Sequence, residues 1–134
     1  MHSDVVNVGD IIAADQKWYN SDDSAVLKIN KVNKANSTFA GTYGIIRSSD
    51  ETAKFPFRGE YDPKGITLGW VVSYWSALGC ENDHAVGVWA GYLKLGNDRV
   101  PKWTFSTTRL IAHEENYNTT TGYDTFTLEE DDHV

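Results

Sequence analysis

Cysteine is nearly absent from this chain, and basic residues are scarcer than acidic ones. The 134 residues include one cysteine, Cys80, so no disulfide can form within the chain, and this composition is typical of a reducing compartment. With 19 acidic and 12 basic residues the net charge is −7. Because proteins that bind nucleic acid carry basic patches, we expect no nucleic-acid partner.

Long apolar runs are missing as well. No run approaches the roughly 20 residues of a membrane-spanning helix, and the first residues lack the basic and apolar segments of a signal peptide. We therefore expect no membrane partner and a cytoplasmic location. Secretion is the alternative if a signal peptide precedes the given sequence.

The sequence motifs of common enzymes and metal sites are also absent. There is no Gly-x-Ser-x-Gly elbow and no phosphate-binding P-loop, and the four histidines lack the spacing of metal ligands. We therefore expect a protein that is not an enzyme, with no catalytic residues, no bound metal and no cofactor.

Alternation of apolar and polar residues with a period of two recurs along the chain, whereas helical periodicity is nearly absent. Turn-forming segments such as Asp62-Pro63-Lys64-Gly65 separate the alternating stretches. This pattern predicts an all-β fold, an eight-stranded antiparallel up-and-down β-barrel that forms a single domain over residues 1–134. Its core is expected at about 10–128, between a short N-terminal segment and an acidic C-terminal tail. The predicted strands are 11–19, 24–32, 38–46, 54–61, 66–76, 85–94, 102–113 and 122–129.

Two of these strands carry apolar residues on both faces. In 85–93, Trp89 and Leu93 lie on one face, while Val86 and Val88 lie on the other; 68–75 shows the same feature. A lone barrel usually presents polar residues outside, so a second apolar face indicates a subunit interface. The alternative is a scatter of surface apolar residues without a partner.

Five short patches combine a large ring or a glycine with a small hydrogen-bonding group. Such a mixture suits a dry aromatic pocket with a few fixed polar groups, and so indicates a small-molecule binder. Any single aromatic residue in a strand is more often part of a core, and Asn20 before Ser21 and Asp22 also fits a turn. The patches are Trp18-Tyr19-Asn20 with Ser24, Gly41-Thr42-Tyr43, Leu68-Gly69-Trp70, Trp89-Ala90-Gly91-Tyr92 and Asp124-Thr125-Phe126.

The order and spacing of these patches resemble those of the avidin and streptavidin family, from about Lys17 to Phe126. The densest similarity runs through Gly59-Glu60-Tyr61-Asp62 to Leu68-Gly69-Trp70-Val71-Val72-Ser73-Tyr74-Trp75. The resemblance implies an avidin-like barrel, assembled as a homo-tetramer or homo-dimer, that binds biotin at its open end as a ligand rather than a cofactor.

The resemblance also implies roles for individual residues. Residues at the positions of Asn20, Ser24 and Tyr43 donate hydrogen bonds to the ureido oxygen of biotin in this family. Asp124 matches the carboxylate that accepts from a ureido N–H, and Trp70 and Trp89 match two tryptophans that form pocket walls. Donors that converge on one oxygen polarise it, which strengthens each bond in a dry cavity.

Several positions depart from the family pattern. Hydroxyl groups of the family fall at Ile45, Gly87 and Ala85 here, and a third pocket tryptophan falls at Arg109. The tryptophan that a neighbouring subunit lends falls near Asn116. Each loss weakens binding by about 1–3 kcal/mol, so we expect weaker affinity for biotin than is typical of avidins.

Arg109 leaves three interpretations open: an ion pair with Asp124 or a loop carboxylate, contact with an anionic ligand, or an outward position. We include it among the candidate ligand-binding residues. Two other functions also stay open. The barrel could bind a different ligand, such as a carbohydrate in a lectin-like site or another small cyclic compound, or its pocket could be vestigial and its oligomeric surface functional.

Overall fold

Eight antiparallel strands close into one barrel. The computed structural model describes residues 6–46, 52–74, 84–96, 101–114 and 117–129. Each strand pairs with the next in the chain, and the first pairs with the last, so the predicted up-and-down barrel is confirmed. A helix, α1, spans Val8–Ile11, and the strands are β1 Lys17–Asn20, β2 Ala25–Asn33, β3 Thr38–Ile46, β4 Thr52–Tyr61, β5 Thr67–Ser73, β6 Ala85–Leu95, β7 Trp103–His113 and β8 Asn118–Leu128.

The inner face of the barrel is filled by aromatic and aliphatic side chains. Burial alternates residue by residue along β6, as the period-two pattern predicts. Trp18 and Phe105 stack with ring centroids 3.7 Å apart and an interplanar angle of 13°. Three tryptophans and five phenylalanines are among the fully buried side chains that exclude water from this core: Trp18, Trp70, Trp89, Phe39, Phe55, Phe57, Phe105 and Phe126.

Two glycines allow neighbouring strands to approach closely. A Cβ atom at Gly41 would overlap the carbonyl oxygen of Lys28, next to an irregularity in the β2–β3 register between Ile29 and Lys31. At Gly91 a Cβ atom would overlap the carbonyl oxygen of Ser106 on β7. Because backbone blocks both places, glycine is required there for the strands to pair as they do.

We call the mouth the end of the barrel where β1, β3, β5 and β7 finish. Helix α1 lies at the opposite end, where Val8 is fully buried and its N–H donates to the carbonyl oxygen of Gly65 at 2.9 Å. Gln16 ties the segment after the helix to β1: its Nε2 donates to the carbonyl oxygen of Ile11 at 2.8 Å, and its Oε1 accepts from Trp18 Nε1 at 3.2 Å. The helix and Gln16 thus position the start of β1 beside the core.

The prediction of a strand from residue 11 was wrong, since α1 occupies Val8–Ile11 and β1 begins at Lys17. A helix of four residues is too short to leave a periodic signal. Its first turn is set locally by Asp10, whose carboxylate accepts from the N–H of Asn7 at 3.1 Å.

The last strand also differs from its prediction, because β8 begins at Asn118 rather than at 122. The run Thr119 to Thr121 reads as a polar loop, but it pairs with residues 110–112 of β7. Threonine is β-branched and suits a strand when the neighbouring strand offers a partner. Within the described ranges, no helix has the length and apolar content needed to cross a bilayer.

Candidate functional site

Polar side chains on the inner face of the barrel gather near the mouth. Asn20 ends β1, Tyr43 lies on β3, Arg109 on β7 and Asp124 on β8. Asn20 and Tyr43 are each 7% exposed, whereas the side chains of Arg109 and Asp124 are 30% and 12% exposed. Ser24, in the turn after β1, is hydrogen-bonded to Asn20, so the structure brings five of the seven predicted site residues to one end of the barrel.

The carboxylate of Asp124 is held by two donors on one oxygen. Trp89 Nε1 donates to Asp124 Oδ2 at 2.9 Å, and Arg109 Nη1 donates to the same oxygen at 2.6 Å. The backbone is fixed too, because Thr107 Oγ1 donates to the carbonyl oxygen of Asp124 at 2.9 Å. Among the described residues no donor reaches Oδ1, so this oxygen is the one that can accept from a ligand.

Arg109 owes its place to a glycine on the neighbouring strand. It pairs with Gly122 of β8 and with Trp89 of β6 in the sheet register. A Cβ atom at Gly122 would overlap the guanidinium, which therefore lies across the glycine and against Asp124. The sequence left an ion pair, a ligand contact and an outward position open for Arg109, and in the structure Arg109 forms the ion pair with Asp124.

Asn20 organises the turn between β1 and β2. Its Oδ1 accepts from the N–H groups of Ser24 at 2.8 Å and Ala25 at 3.0 Å, and its Nδ2 donates to Ser24 Oγ at 3.0 Å. The turn interpretation of this segment therefore holds in the structure. The amide still has a second Nδ2 hydrogen available for a ligand.

Ser24 is exposed, and its hydroxyl already has an acceptor. Ser24 Oγ donates to Asp22 Oδ1 at 2.7 Å, and the Ser24 N–H donates to the same carboxylate oxygen at 3.1 Å. These bonds, the side-chain one foremost, lower the pKa of Asp22. The sequence placed Asp22 in a turn but gave no sign that its carboxylate accepts from the Ser24 hydroxyl, so Asp22 was not among the candidate site residues.

Tyr43 lies between the polar group and the core. Its ring centroid is 4.9 Å from that of Trp89 and 6.4 Å from that of Phe126. Burial, more than any charge nearby, raises the pKa of Tyr43, so its hydroxyl stays protonated and can donate. That hydroxyl makes no hydrogen bond to another described residue.

The two predicted wall residues are covered by protein. Trp89 is fully buried and Trp70 is 1% exposed, and their rings stack with centroids 5.8 Å apart and an interplanar angle of 11°. An ideal Cβ at Gly87 would lie 2.8 Å from Cζ3 of Trp89, so the indole takes the space that a side chain at 87 would fill. Trp70 Nε1 is buried without a hydrogen-bond partner in the described chain.

The positions that depart from the family pattern are placed as follows. Ile45 packs partly buried against the core, and Ala85 is 5% exposed at the start of β6. Neither side chain can form a hydrogen bond, which leaves the mouth with fewer polar groups than the resemblance implies. Asn116 lies outside the described residues. The roles of all seven candidate residues in ligand binding stay predictions.

Comparison with known proteins gives a family match and several similar structures. The model of the avidin family matches residues 10–129. The crystal structure of rhizavidin is similar with a TM-score of 0.75 and 19% sequence identity, covering 96% of this chain and 91% of that one. The rhizavidin–biotin complex has a TM-score of 0.71 and 20% sequence identity, covering 91% of this chain and 97% of that one. Apo shwanavidin has a TM-score of 0.71 and 18% identity, covering 89% of this chain and 98% of that one. A search of curated proteins found no match.

At these identities the similar structures demonstrate the shared barrel, and the family match carries the assignment. The family match begins within α1 and ends one residue after β8, and so includes every strand. The members of this family bind ligands and do not catalyse reactions. The chain belongs to the avidin family.

Proposed function

We propose that this protein binds biotin, or a ligand with the same cyclic urea, at the mouth of the barrel and without chemical conversion. One observation carries the proposal: Tyr43, Trp89 and Asp124 form one contiguous group on the inner face. Trp89 contacts the ring of Tyr43 and donates to Asp124. Asn20 lies next to this group, because it pairs with Phe126, whose ring neighbours that of Tyr43.

The polar atoms of the group suit the two kinds of atom in a urea. Tyr43 Oη and the second hydrogen of Asn20 Nδ2 can donate to a carbonyl oxygen, while Asp124 Oδ1 can accept from an N–H. Ser24 contributes its hydroxyl only if that hydroxyl leaves Asp22, to which it donates at 2.7 Å. Binding through Ser24 therefore exchanges one hydrogen bond for another and adds little affinity.

Three features support an affinity weaker than that typical of avidins. Asp124 Oδ2 is already neutralised by Arg109, which weakens the carboxylate as an acceptor. Trp70 and Trp89 are covered, so a ligand has to displace packed side chains before it can contact their ring faces. Ile45, Gly87 and Ala85 offer no hydroxyl groups.

Calorimetric titration of biotin into biotin-free protein, with thermal melts alongside, tests the proposal. We expect heat of binding and a rise in melting temperature, since a ligand that binds only the folded state stabilises it. Asp124→Ala should abolish both signals. Asp15→Asn, an exposed carboxylate away from the mouth whose backbone φ of 74° asparagine tolerates, is the matched control and should bind as wild type does. Absence of both signals from the wild-type protein would refute biotin as the ligand.

A second candidate is an avidin-like barrel that binds another compound, such as a carbohydrate or a different small cyclic molecule. The Arg109–Asp124 pair favours it, because a guanidinium beside a carboxylate can bind hydroxyl groups as well as a urea. Titration with simple sugars and a glycan array distinguishes the two functions. Binding of a sugar with no response to biotin would favour the second.

We also propose that the protein is a homo-oligomer, a dimer or a tetramer, formed through the outer face of β5 to β7. Val71, Val86, Val88 and Leu110 are 39–46% exposed on that face. A concavity of about 790 Å³ next to them is lined in part by Gly69, Val71, Val88 and Ala90. Exposed apolar surface of this kind is typical of interfaces.

Light scattering coupled to size exclusion tests the assembly. The wild-type protein should elute above the mass of one chain, and Val88→Lys should shift it towards the monomer. Asn30→Lys adds the same charge on the exposed side of β2 and should leave the mass unchanged. A monomeric wild-type protein would refute the oligomer without affecting the binding proposal.

A further inference from the structure

The guanidinium of Arg109 has more donors than its partner uses. An arginine carries five N–H groups, and one of these, on Nη1, donates to Asp124 Oδ2. Among the described residues no second acceptor bonds to it. The side chain is 30% exposed, so a molecule that enters the mouth can reach the other N–H groups.

The guanidinium group of Arg109 is held in one position by its neighbours. Asp124 fixes it on one side, and Gly122 on β8 leaves the space in which it lies. A planar guanidinium held in this way loses little further freedom when it binds a planar anion with two parallel hydrogen bonds. A lysine ammonium would offer a point charge without that geometry.

The mouth has more donors than acceptors. Arg109, Tyr43 and Asn20 have N–H or O–H groups that no described residue accepts, while the carboxylates at this end are those of Asp124 and, beside Ser24, Asp22. Asp124 balances the charge of Arg109 but accepts through one of its two oxygens in the structure. A ligand that brings acceptor oxygens therefore complements this mouth better than one that brings donors alone.

We propose that Arg109 is a specificity-determining residue that selects ligands carrying a carboxylate, which it binds with the N–H groups that Asp124 leaves unused. The inference rests on the proposed function, because it assigns chemistry to the same mouth. Biotin carries a carboxylate at the end of its side chain, whereas its methyl ester has the same rings and no charge. The pair of ligands isolates the charge from the rest of the molecule.

Titration of biotin and biotin methyl ester into the wild-type protein tests the inference without any substitution. We expect biotin to bind about tenfold tighter than the ester, the difference of one charge-assisted contact. Equal affinities for the two ligands would overturn the inference and leave the proposed function standing. Failure of both ligands to bind would overturn the proposed function and the inference together.

Two variants assign the difference to Arg109. Arg109→Gln should bring the two affinities together, whatever its common effect on both ligands through Asp124, and Arg109→Lys should keep part of the ratio. Lys64→Gln removes one positive charge at an exposed turn away from the mouth and should preserve the wild-type ratio. Near-ultraviolet circular dichroism checks that each variant is folded. A ratio that persists in Arg109→Gln would show that another group binds the carboxylate.

Discussion

Trp89 Nε1 and Asp124 Oδ2 lie 2.9 Å apart, although β7 separates their strands in the sheet. The bond spans β7 on the inner face and joins an aromatic residue of the core to the carboxylate of the mouth. A change in either residue is therefore transmitted to the other. Substitutions of Asp124 should therefore alter the packing of the core around Trp89.

Trp89→Phe should lower the free energy of unfolding by about 2 kcal/mol, because it removes a hydrogen bond to a charged group from a buried site. Urea denaturation measures the loss. Trp103→Phe, which removes an indole from a partly buried position on β7, is the matched control and should cost less. Equal losses in the two variants would indicate that ring volume, not the bond to Asp124, accounts for the effect.

Substitutions of Asn20 separate its turn role from its ligand role. Asn20→Asp keeps an oxygen that can accept from the N–H groups of Ser24 and Ala25 but removes the Nδ2 donor. We expect it to retain most of the stability and lose measurable biotin binding. Asn20→Ala should lose binding and also about 1–3 kcal/mol of stability, since the buried Ala25 N–H loses its acceptor and the Ser24 N–H keeps only Asp22. Chemical denaturation and calorimetry report the two effects independently, and undiminished biotin binding by Asn20→Asp would contradict the donor role.

Tyr43→Phe should weaken biotin binding by about tenfold, the value of one hydrogen bond, while stability changes little. The reason is that the Tyr43 hydroxyl has no hydrogen-bond partner among the described residues, so its removal leaves no protein group unsatisfied. Because the pKa of Tyr43 is raised, its contribution to binding should not vary between neutral pH and about pH 10, where an ordinary tyrosine is half ionised. Calorimetric titration of biotin into the wild-type protein and Tyr43→Phe at two pH values measures the contribution of the hydroxyl. A contribution that declines towards alkaline pH would contradict the buried position of the hydroxyl.

Gly122→Ala should displace the guanidinium of Arg109 and break its ion pair with Asp124, at a cost of about 1 kcal/mol for a partly exposed pair. Gly96→Ala, where a Cβ atom would make ordinary contacts of 3.5 Å or more, should be neutral. A double-mutant cycle with Arg109→Met identifies the mechanism. If Gly122→Ala costs as much in the Arg109→Met protein as in the wild type, the overlap with Arg109 is not its cause.

The Asp22–Ser24 interaction should make stability depend on pH at the acid end. The pKa of Asp22 is lowered from 3.8 in the folded protein, so its stabilising effect is present above pH 3.8 and is lost as the pH falls through the lower, folded value. At neutral pH the wild-type protein should have a higher melting temperature than Asp22→Asn, and the two melting temperatures should converge below pH 3.8. Ser24→Ala, which removes the largest cause of the shift, should reduce the difference. Melting temperatures that stay equally far apart at low pH would contradict this assignment.

The strands could be predicted from sequence wherever one face is buried. Trp70 and Trp89 alternate with exposed valines, and the strands that carry them were located to within a few residues. The start of β8 was not, because Thr119 and Thr121 are exposed and take their conformation from pairing with β7. Local sequence does not encode such a partner.

The sequence indicated several residues that gather at the mouth, and an Arg109–Asp124 ion pair as one alternative, but it did not indicate most of the contacts among them. The order of the aromatic patches located Tyr43, Trp89 and Asp124, which the structure brings together. The burial of the Trp89 ring over Gly87 and the position of Arg109 over Gly122 depend on which residues face each other across the barrel. Which residues face each other is set by the register between strands, and the pattern of apolar and polar residues along one sequence does not reveal that register.

Closure of the barrel by β1 and β8 determines how copies of this protein can meet. Every strand of the described barrel has a neighbour on each side, but β1 pairs only with Phe126, Thr127 and Leu128 of β8, so the first residues of β8 have no described strand beside them on that side. Association by strand addition is therefore confined to short stretches such as this one near the mouth, because most of each strand edge is paired. Elsewhere, contacts between copies depend on side chains such as Val88, and single substitutions can strengthen or dissolve an assembly without disturbing the fold.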